Sequence, residues 1–371
     1  MSAMAKATIL LCGPPIAAFG GGPTHIKNML SSPLQDHYRF VHFESGSRGN
    51  ESPAKDEKLS SKLFRIITSP FALAREILLT WPAVIHLNSV MDHKAFWRDL
   101  VYMLVSKFFW RRVVLQMHGG SLQVLCGSRW MRHVVRIVYS IPDAIVLLAT
   151  VEKRDFADLG ITGRVVVIPN GLDVSKYRGP TERIHSGKVE RLVYLGRLVR
   201  TKGIFESIQA VEILRSEPRF RDIELRIAGS GPAREDIQRY IDDHGLGSCV
   251  KLVGSVFGRE KVEFLCEADV FVFPTYHPEG LPYTILESLA SGTPVIVSRV
   301  AGIPDVVIDG IHGLFVNTKD PGDIVSAVRK LGQSQDTLRT MSRNSLEWAS
   351  QKFGLERLAN QFEELYEKLR A

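Results

Sequence analysis

Residues 270–310 read VFVFPTYHPEGLPYTILESLASGTPVIVSRVAGIPDVVIDG. The run 270–273 is apolar on both faces. A loop follows it, then a helix-length segment from about Pro282 to Ala290, then Gly292 and Pro294, and then a second wholly apolar run at 295–298. A strand buried on both faces, a helix and another such strand are the pattern of a parallel sheet covered on each side. The same kind of run recurs upstream at 191–195 (RLVYL), 223–228 (IELRIA) and 249–253 (CVKLV). An earlier series lies at 7–12, 84–88, 113–117, 144–149 and 165–168, with helix-length segments between most of the runs. The expected fold is therefore α/β, with two doubly wound domains.

The length agrees, since 371 residues is roughly two and a half times the usual ~150-residue domain. Residues 174–190 (VSKYRGPTERIHSGKVE) lack apolar periodicity and hold Gly179, Pro180 and Gly187, which places the boundary there. The expected division is a first domain over 1–180 and a second over 181–353. A tail over 354–371 carries Leu355, Leu358, Phe362, Leu365 and Leu369 at helical spacing, and is expected to dock on the first domain. Residues 45–62 are polar and rich in breakers, and are expected to be a mobile loop.

Composition removes several classes of protein. Apolar residues make up 45% and charged residues 23%, a globular balance without room for long disordered tracts. The four cysteines, Cys12, Cys126, Cys249 and Cys266, form no C-x-x-C pair, so neither a disulfide framework nor a structural zinc site is expected. A reducing cytoplasm suits them. No apolar stretch reaches the ~18 residues of a membrane span. The net charge is +7, and it is uneven: residues 1–180 hold 22 Lys and Arg against 13 Asp and Glu, whereas 181–371 hold 25 against 27. Such asymmetry fits an anionic surface or substrate met by one domain only.

The loop after 270–273 lies at the carboxyl end of a strand, where open parallel sheets bind ligands. Pro282 suits a first helical position. The N–H groups of Gly280, Leu281 and Tyr283, with the helix dipole behind them, then form an anion site. Glu279 and Glu287, eight positions apart, suit hydrogen bonds to sugar hydroxyls. The alternative is a solvated Glu287 and a Glu279 that only caps the helix. In YLGRLVRTKG (194–203), a strand ends at Gly196 and leaves Arg197 and Lys202 in the next loop. A guanidinium and an ammonium there can clamp two phosphates, although basic loops before helices are also common. Gly20, Gly21 and Gly22 follow the first strand and allow backbone N–H groups to approach a phosphate, or form a plain turn. His118 closes the strand 113–117 and either bonds a substrate or ties down its loop. Asn170 and Gly171 mark a turn.

In order and spacing, GGGPTHI (20–26), H-G (118–119), P-N-G-L-D (169–173), G-R-L with K-G (196–203) and E-x7-E in EGLPYTILE (279–287) resemble the retaining, nucleotide-sugar-dependent glycosyltransferases of family 4. The resemblance covers essentially the whole chain. It implies the GT-B architecture, two Rossmann-like domains facing a central cleft. It also implies that Arg197 and Lys202 neutralise the donor diphosphate, and that Glu279 and the backbone of Gly280 and Leu281 hold the transferred sugar. By the same resemblance Glu287 holds the ribose, Gly21 and Gly22 approach the diphosphate, and His118 contacts the donor sugar. Pro282 stands where many members carry a second Gly. No D-x-D occurs in the chain, so no metal and no cofactor are expected beyond a nucleoside diphosphate sugar, UDP or GDP.

The acceptor, a glycan or lipid-linked hydroxyl, is expected on the basic first domain. Residues 94–112 (KAFWRDLVYMLVSKFFWRR) combine a broad apolar face with Lys94, Arg98, Lys107, Arg111 and Arg112. That suits either a bilayer interface or an ordinary helix packed on its sheet. Lys55, Lys58, Lys62 and Arg65 before an apolar stretch over 63–79 offer a second contact. A cytoplasmic enzyme peripheral to an anionic membrane is the expectation. Nucleic acid is not expected, since no interleaved stacking motif for bases is evident. The rival readings are a nucleotide-sugar 2-epimerase and a non-catalytic binder on the same fold.

Overall fold

A computed structural model describes residues 6–45, 59–177 and 188–371, with side chains omitted at 59–63 and 335. Most of the loop expected over 45–62, with Lys55 and Lys58, lies outside the described residues, as does the middle of the expected domain boundary. The chain divides into two units, the first over 1–171, 278–281 and 355–371, the second over 172–277 and 282–354. The boundary expected from the sequence is at 180. The structure sets it nearer, because the short 3-10 turn Val174–Tyr177 already packs on a helix of the second unit.

In the first unit the order is β1 (Ala7–Gly13), α1 (Gly21–Leu30), α2 (Leu34–His37), β2 (Tyr38–Glu44), α3 (Leu59–Thr80), β3 (Val84–Met91) and α4 (His93–Phe108). It continues through β4 (Arg112–Gly120), α5 (Leu122–Leu125), α6 (Arg129–Val138), β5 (Ala144–Leu147), α7 (Thr150–Asp158) and β6 (Val165–Val167). The six strands pair in parallel in the order β2-β1-β3-β4-β5-β6. Alternate residues of the same strand feed opposite layers, as the pleat requires. Leu10 and Cys12 join α3, α4 and α6 through Leu73, Met103 and Val135, while Ile9 and Leu11 join α1 through Ile26 and Met29. That second layer is completed by a helix from the far end of the chain, whose Leu358, Phe362 and Tyr366 are buried in it.

In the second unit β7 (Arg191–Leu195), α8 (Ile204–Leu214), β8 (Glu224–Ala228), α9 (Arg234–Asp243) and β9 (Val250–Gly254) run to one side. Then α10 (Gly258–Cys266), β10 (Val270–Phe273), α11 (Tyr283–Ala290), β11 (Val295–Ser298), α12 (Ile303–Val306), β12 (Gly313–Val316), α13 (Pro321–Leu331) and α14 (Gln335–Lys352) run to the other. α15 (Leu355–Arg370) is the helix that returns to the first unit. The order β12-β11-β10-β7-β8-β9, all parallel, is the Rossmann strand order. β10 and β11 are buried at every residue, which is why their sequences do not alternate. Two strands escaped the sequence reading. β2 (YRFVHFE) is an edge strand with one fully buried position, and β12 is a four-residue edge strand.

Candidate functional site

In the second sheet β7 and β10 are neighbours, and the chain leaves them in opposite directions. Their carboxyl ends therefore flank a topological switch point, the crevice where sheets of this kind bind ligands. Gly196 and Arg197 leave the end of β7, and a short 3-10 turn, Arg200–Lys202, follows. Gly203 ends that turn at φ 75°, and a Cβ there would lie 2.4 Å from the carbonyl oxygen of Pro274. Only glycine lets the loop abut the exit of β10. The Lys202 ammonium lies 5.3 Å from the centre of the Phe273 ring. Gly196 faces the same ring, with a Cβ position 3.3 Å away.

Gly196 and Lys202 thus converge on the last residue of β10, with Arg197 exposed beside them. Thr201 locks the arrangement. Its Oγ1 sits 2.9 Å from Nδ1 of His277, and its carbonyl accepts the N–H of Tyr276 at 2.9 Å. The cationic loop and the loop after β10 are held as one piece. Two cations on a fixed backbone are suited to a multiply charged anion.

α11 follows the same switch point. Pro282 is extended (φ −64°, ψ 123°) and stands as the N-cap, so α11 begins at Tyr283, one position later than expected. Glu287 is 2% exposed, so the solvated alternative fails. Its Oε1 accepts the phenolic O–H of Tyr177 at 2.9 Å and pairs with Nζ of Lys261 at 2.5 Å. Burial, and then the adjacent carboxylate, push the Tyr177 phenol far up, so it stays a neutral donor. Both bonds fall on one oxygen, Oε1. Neither Tyr177 nor Lys261 was singled out in the sequence, because nothing in local spacing links positions 177, 261 and 287.

In the first unit the switch point lies between β1 and β3. β1 leads to α1, which begins at Gly21 with Gly20 as an N-cap that offers no side chain. The N–H groups of Gly21 and Gly22 therefore emerge at the positive end of the helix without an intrahelical partner. One turn on, His25 is buried, and its ring centre is 4.6 Å from that of His118 at the end of β4. Asn88 fixes His118. Its Nδ2 donates to the Cys12 carbonyl at 3.0 Å, so its Oδ1 faces Nε2 of His118 at 2.8 Å. The proton of His118 must then sit on Nε2, and Nδ1 is left as an acceptor.

Below His25, His86 accepts the Tyr366 hydroxyl at 2.6 Å on Nδ1 and donates from Nε2 to Gln116 at 2.9 Å. Burial pushes His25 down to about 4 and His86, which also feels His25, down to about 3. His118 is held well below its usual value by burial and by both neighbours. All three are neutral at pH 7.

The segment Pro278–Leu281 groups with the first unit, although the sequence reading assigned Glu279, Gly280 and Leu281 to the second. The reason is backbone pairing. Glu279 forms an antiparallel bridge with Gly119, and the Leu281 carbonyl accepts Nδ2 of Asn170 at 2.9 Å. Gly119 has φ 116°, and a Cβ there would lie 2.7 Å from the Gly280 nitrogen. A Cβ on Gly280 would lie 2.9 Å from the Gly119 nitrogen. The H-G and E-G pairs in the sequence are two sides of one close backbone contact. It sets Glu279 beside the residue that follows His118.

Known proteins match this chain in both parts. The sequence profile described as Glycosyltransferase Family 4 matches residues 20–176, and the one described as Glycosyl transferases group 1 matches residues 181–348. The chain belongs to glycosyltransferase family 4. Among its relatives is the GDP-mannose-dependent alpha-(1-6)-phosphatidylinositol monomannoside mannosyltransferase of Mycolicibacterium smegmatis, 27% identical over 357 residues, 89% of this chain and 90% of that protein. Among solved structures, sucrose-phosphate synthase of Thermosynechococcus elongatus superposes with a TM-score of 0.77 at 20% identity, covering 98% of this chain and 99% of that one. HepE of Anabaena, solved with UDP and glucose, gives 0.75 at 16% identity, covering 98% and 100%. As a family 4 member the protein is a glycosyltransferase enzyme of the GT-B fold, built on the two six-stranded parallel sheets described above.

Proposed function

We propose that this glycosyltransferase moves a hexose, with retention, from a nucleoside diphosphate to a hydroxyl of a glycan or lipid-linked acceptor in cell-surface polysaccharide assembly. The observation that carries the reading is the convergence of Gly196 and Lys202 on the β7/β10 switch point, with Arg197 exposed next to Gly196. The M. smegmatis relative, named for GDP-mannose and a phosphatidylinositol mannoside, supports both the donor class and an acceptor of this kind.

Cleavage of the bond between the anomeric carbon and the diphosphate oxygen builds positive charge on carbon and negative charge on the departing phosphate. Arg197 and Lys202 neutralise that phosphate as it leaves, and fixed cations at the site of developing charge lower such barriers most. No resident metal or cofactor takes part. Glu287 offers Oε2 to a ribose hydroxyl. His118 accepts a sugar hydroxyl on Nδ1, Glu279 with the backbone of Gly280 and Leu281 holds the sugar, and the N–H groups of Gly21 and Gly22 take phosphate oxygens. The acceptor oxygen attacks from the face the phosphate leaves, and its proton passes to the phosphate, so no protein side chain serves as general base.

A thermal-shift series with UDP, GDP and their sugars tests the clamp. One nucleotide series is expected to raise Tm, and Arg197→Ala to abolish the rise; an undiminished shift in the variant refutes it. NMR of the product is expected to show the donor's anomeric configuration. A C2-epimerised donor formed without acceptor would establish the epimerase instead.

A further inference from the structure

Among the described residues, the second unit leaves five large apolar side chains exposed, of which Phe257 at 48% is the most exposed. The first unit leaves many more, including Trp81, Trp97, Trp110 and Trp130. They are not scattered. On α4, Trp97, Val101, Leu104 and Phe108 are exposed at spacings of four, three and four, one stripe of the helix. The opposite stripe, with Phe96 and Met103, enters the core. The broad apolar face read from the sequence is therefore two faces, one covered by the sheet and one left uncovered among the described residues. On α3, which packs beside α4, Phe64, Ile67, Phe71 and Leu78 form a second exposed stripe, with Leu73 and Ile77 buried behind it. Trp110 follows α4 at 90% exposure.

The exposed charge around these stripes is predominantly positive, with Asp92 at the start of α4 among the few acids. α4 and the residues after it expose Lys94 and Arg112. α6, on the same side of the sheet, exposes Trp130 and Ile137 and carries no acid. Arg129, Arg132, His133 and Arg136 of α6 line a depression of about 530 Å³ whose facing wall, residues 157–160, contributes one acid, Asp158, against the three arginines. Soluble monomers seldom expose a continuous apolar surface of this extent. A protein partner is usually met by mixed charge at the rim, whereas aromatic and aliphatic stripes flanked by cations fit the headgroup boundary of an anionic bilayer. No described helix is long and apolar enough to cross a membrane, so insertion would be shallow.

We infer that the outer surface of α3, α4 and α6 docks on an anionic lipid surface, with the Trp and Phe side chains entering the acyl boundary and the α6 arginine depression taking a lipid phosphate. The inference goes beyond the proposed reaction and does not depend on its site residues.

Cosedimentation of the full chain with vesicles tests it. Vesicles of phosphatidylglycerol with phosphatidylcholine are expected to carry the protein down, and phosphatidylcholine alone to bind at least tenfold less. Phe108→Asp with Trp110→Asp, at exposed positions, is expected to reduce binding at least tenfold with an unchanged melting temperature. Arg129→Glu with Arg136→Glu is expected to remove the preference for anionic vesicles. Should these variants not fold, the wild type suffices: brominated lipids are expected to quench its tryptophan fluorescence. Absence of binding at low salt, binding without quenching, or binding unaffected by the apolar pair overturns the inference. So does a dimer that the apolar pair dissolves and vesicles do not compete with, which would assign the patch to a second copy.

Discussion

The two sheets present chemically opposite ends. At the β7/β10 switch point of the second unit, Arg197 and Lys202 are cations held on a rigid loop. At the corresponding end of the first sheet stands His118, packed on His25 of α1 with His86 deeper in the sheet, and burial keeps all three imidazoles neutral. Under the proposed function, the difference suits each to a different part of a sugar nucleotide. A diphosphate needs full charge, and a cation on the surface meets it at little desolvation cost. A hexose needs directed, uncharged hydrogen bonds, and these require buried groups of fixed tautomer.

The largest effect is expected on the charged side. Arg197→Ala should lower kcat/KM by about 10²–10³-fold, in the range seen when one electrostatic donor to a leaving oxygen is removed. Steady-state kinetics with the donor varied checks this, and a loss confined to KM would mean that the cation binds without assisting departure.

Next comes acid sensitivity on the neutral side. His25 and His86 are near 4 and 3 when folded, against an unfolded value of ~6.5. Each therefore contributes full stability above ~pH 6.5, and that stability is lost as pH falls toward the folded values, by up to ~1.4 kcal/mol per pH unit for each. Urea titrations at pH 7 and pH 5 should differ by roughly 3 kcal/mol, and His86→Gln should flatten the slope.

Gly119→Ala should cost ~2 kcal/mol, because it forces a strained positive φ and drives a methyl into the Gly280 backbone. Thermal melting reads that loss directly. The smallest effect, about tenfold, is expected for Asn88→Asp. A carboxylate on Nε2 favours protonated His118, so the acid limb of the pH–rate profile should move to higher pH. A uniform loss at every pH would reduce Asn88 to a structural role.

The strands most legible in the sequence were those buried on both faces, such as β10 and β11, because their composition is dictated at every residue. β2 was missed since its edge position fully buries only one side chain, and β12 since it has only four residues and opens on Gly313. The motif residues stood out for a similar reason: Gly203 and Gly119 answer to backbone atoms that touch them, and no other residue fits. What stayed hidden was pairing between distant segments. Lys261 and Tyr177 on Glu287, and Asn88 on His118, join positions 26, 110 and 30 residues apart. No periodicity encodes such pairs. The second aromatic face of α4 was hidden too, since a helix apolar on two sides gives no sign of which side the sheet will claim.

α15 supplies Phe362 and Tyr366 to a layer whose other members, Ile9, Leu11 and Ile26, come from the start of the chain. During synthesis the first sheet therefore emerges long before the helix that shields it. Until residues 355–370 leave the ribosome, that half of the nascent protein has an apolar flank without the cover this helix gives it, and its safe passage depends on how quickly translation reaches them.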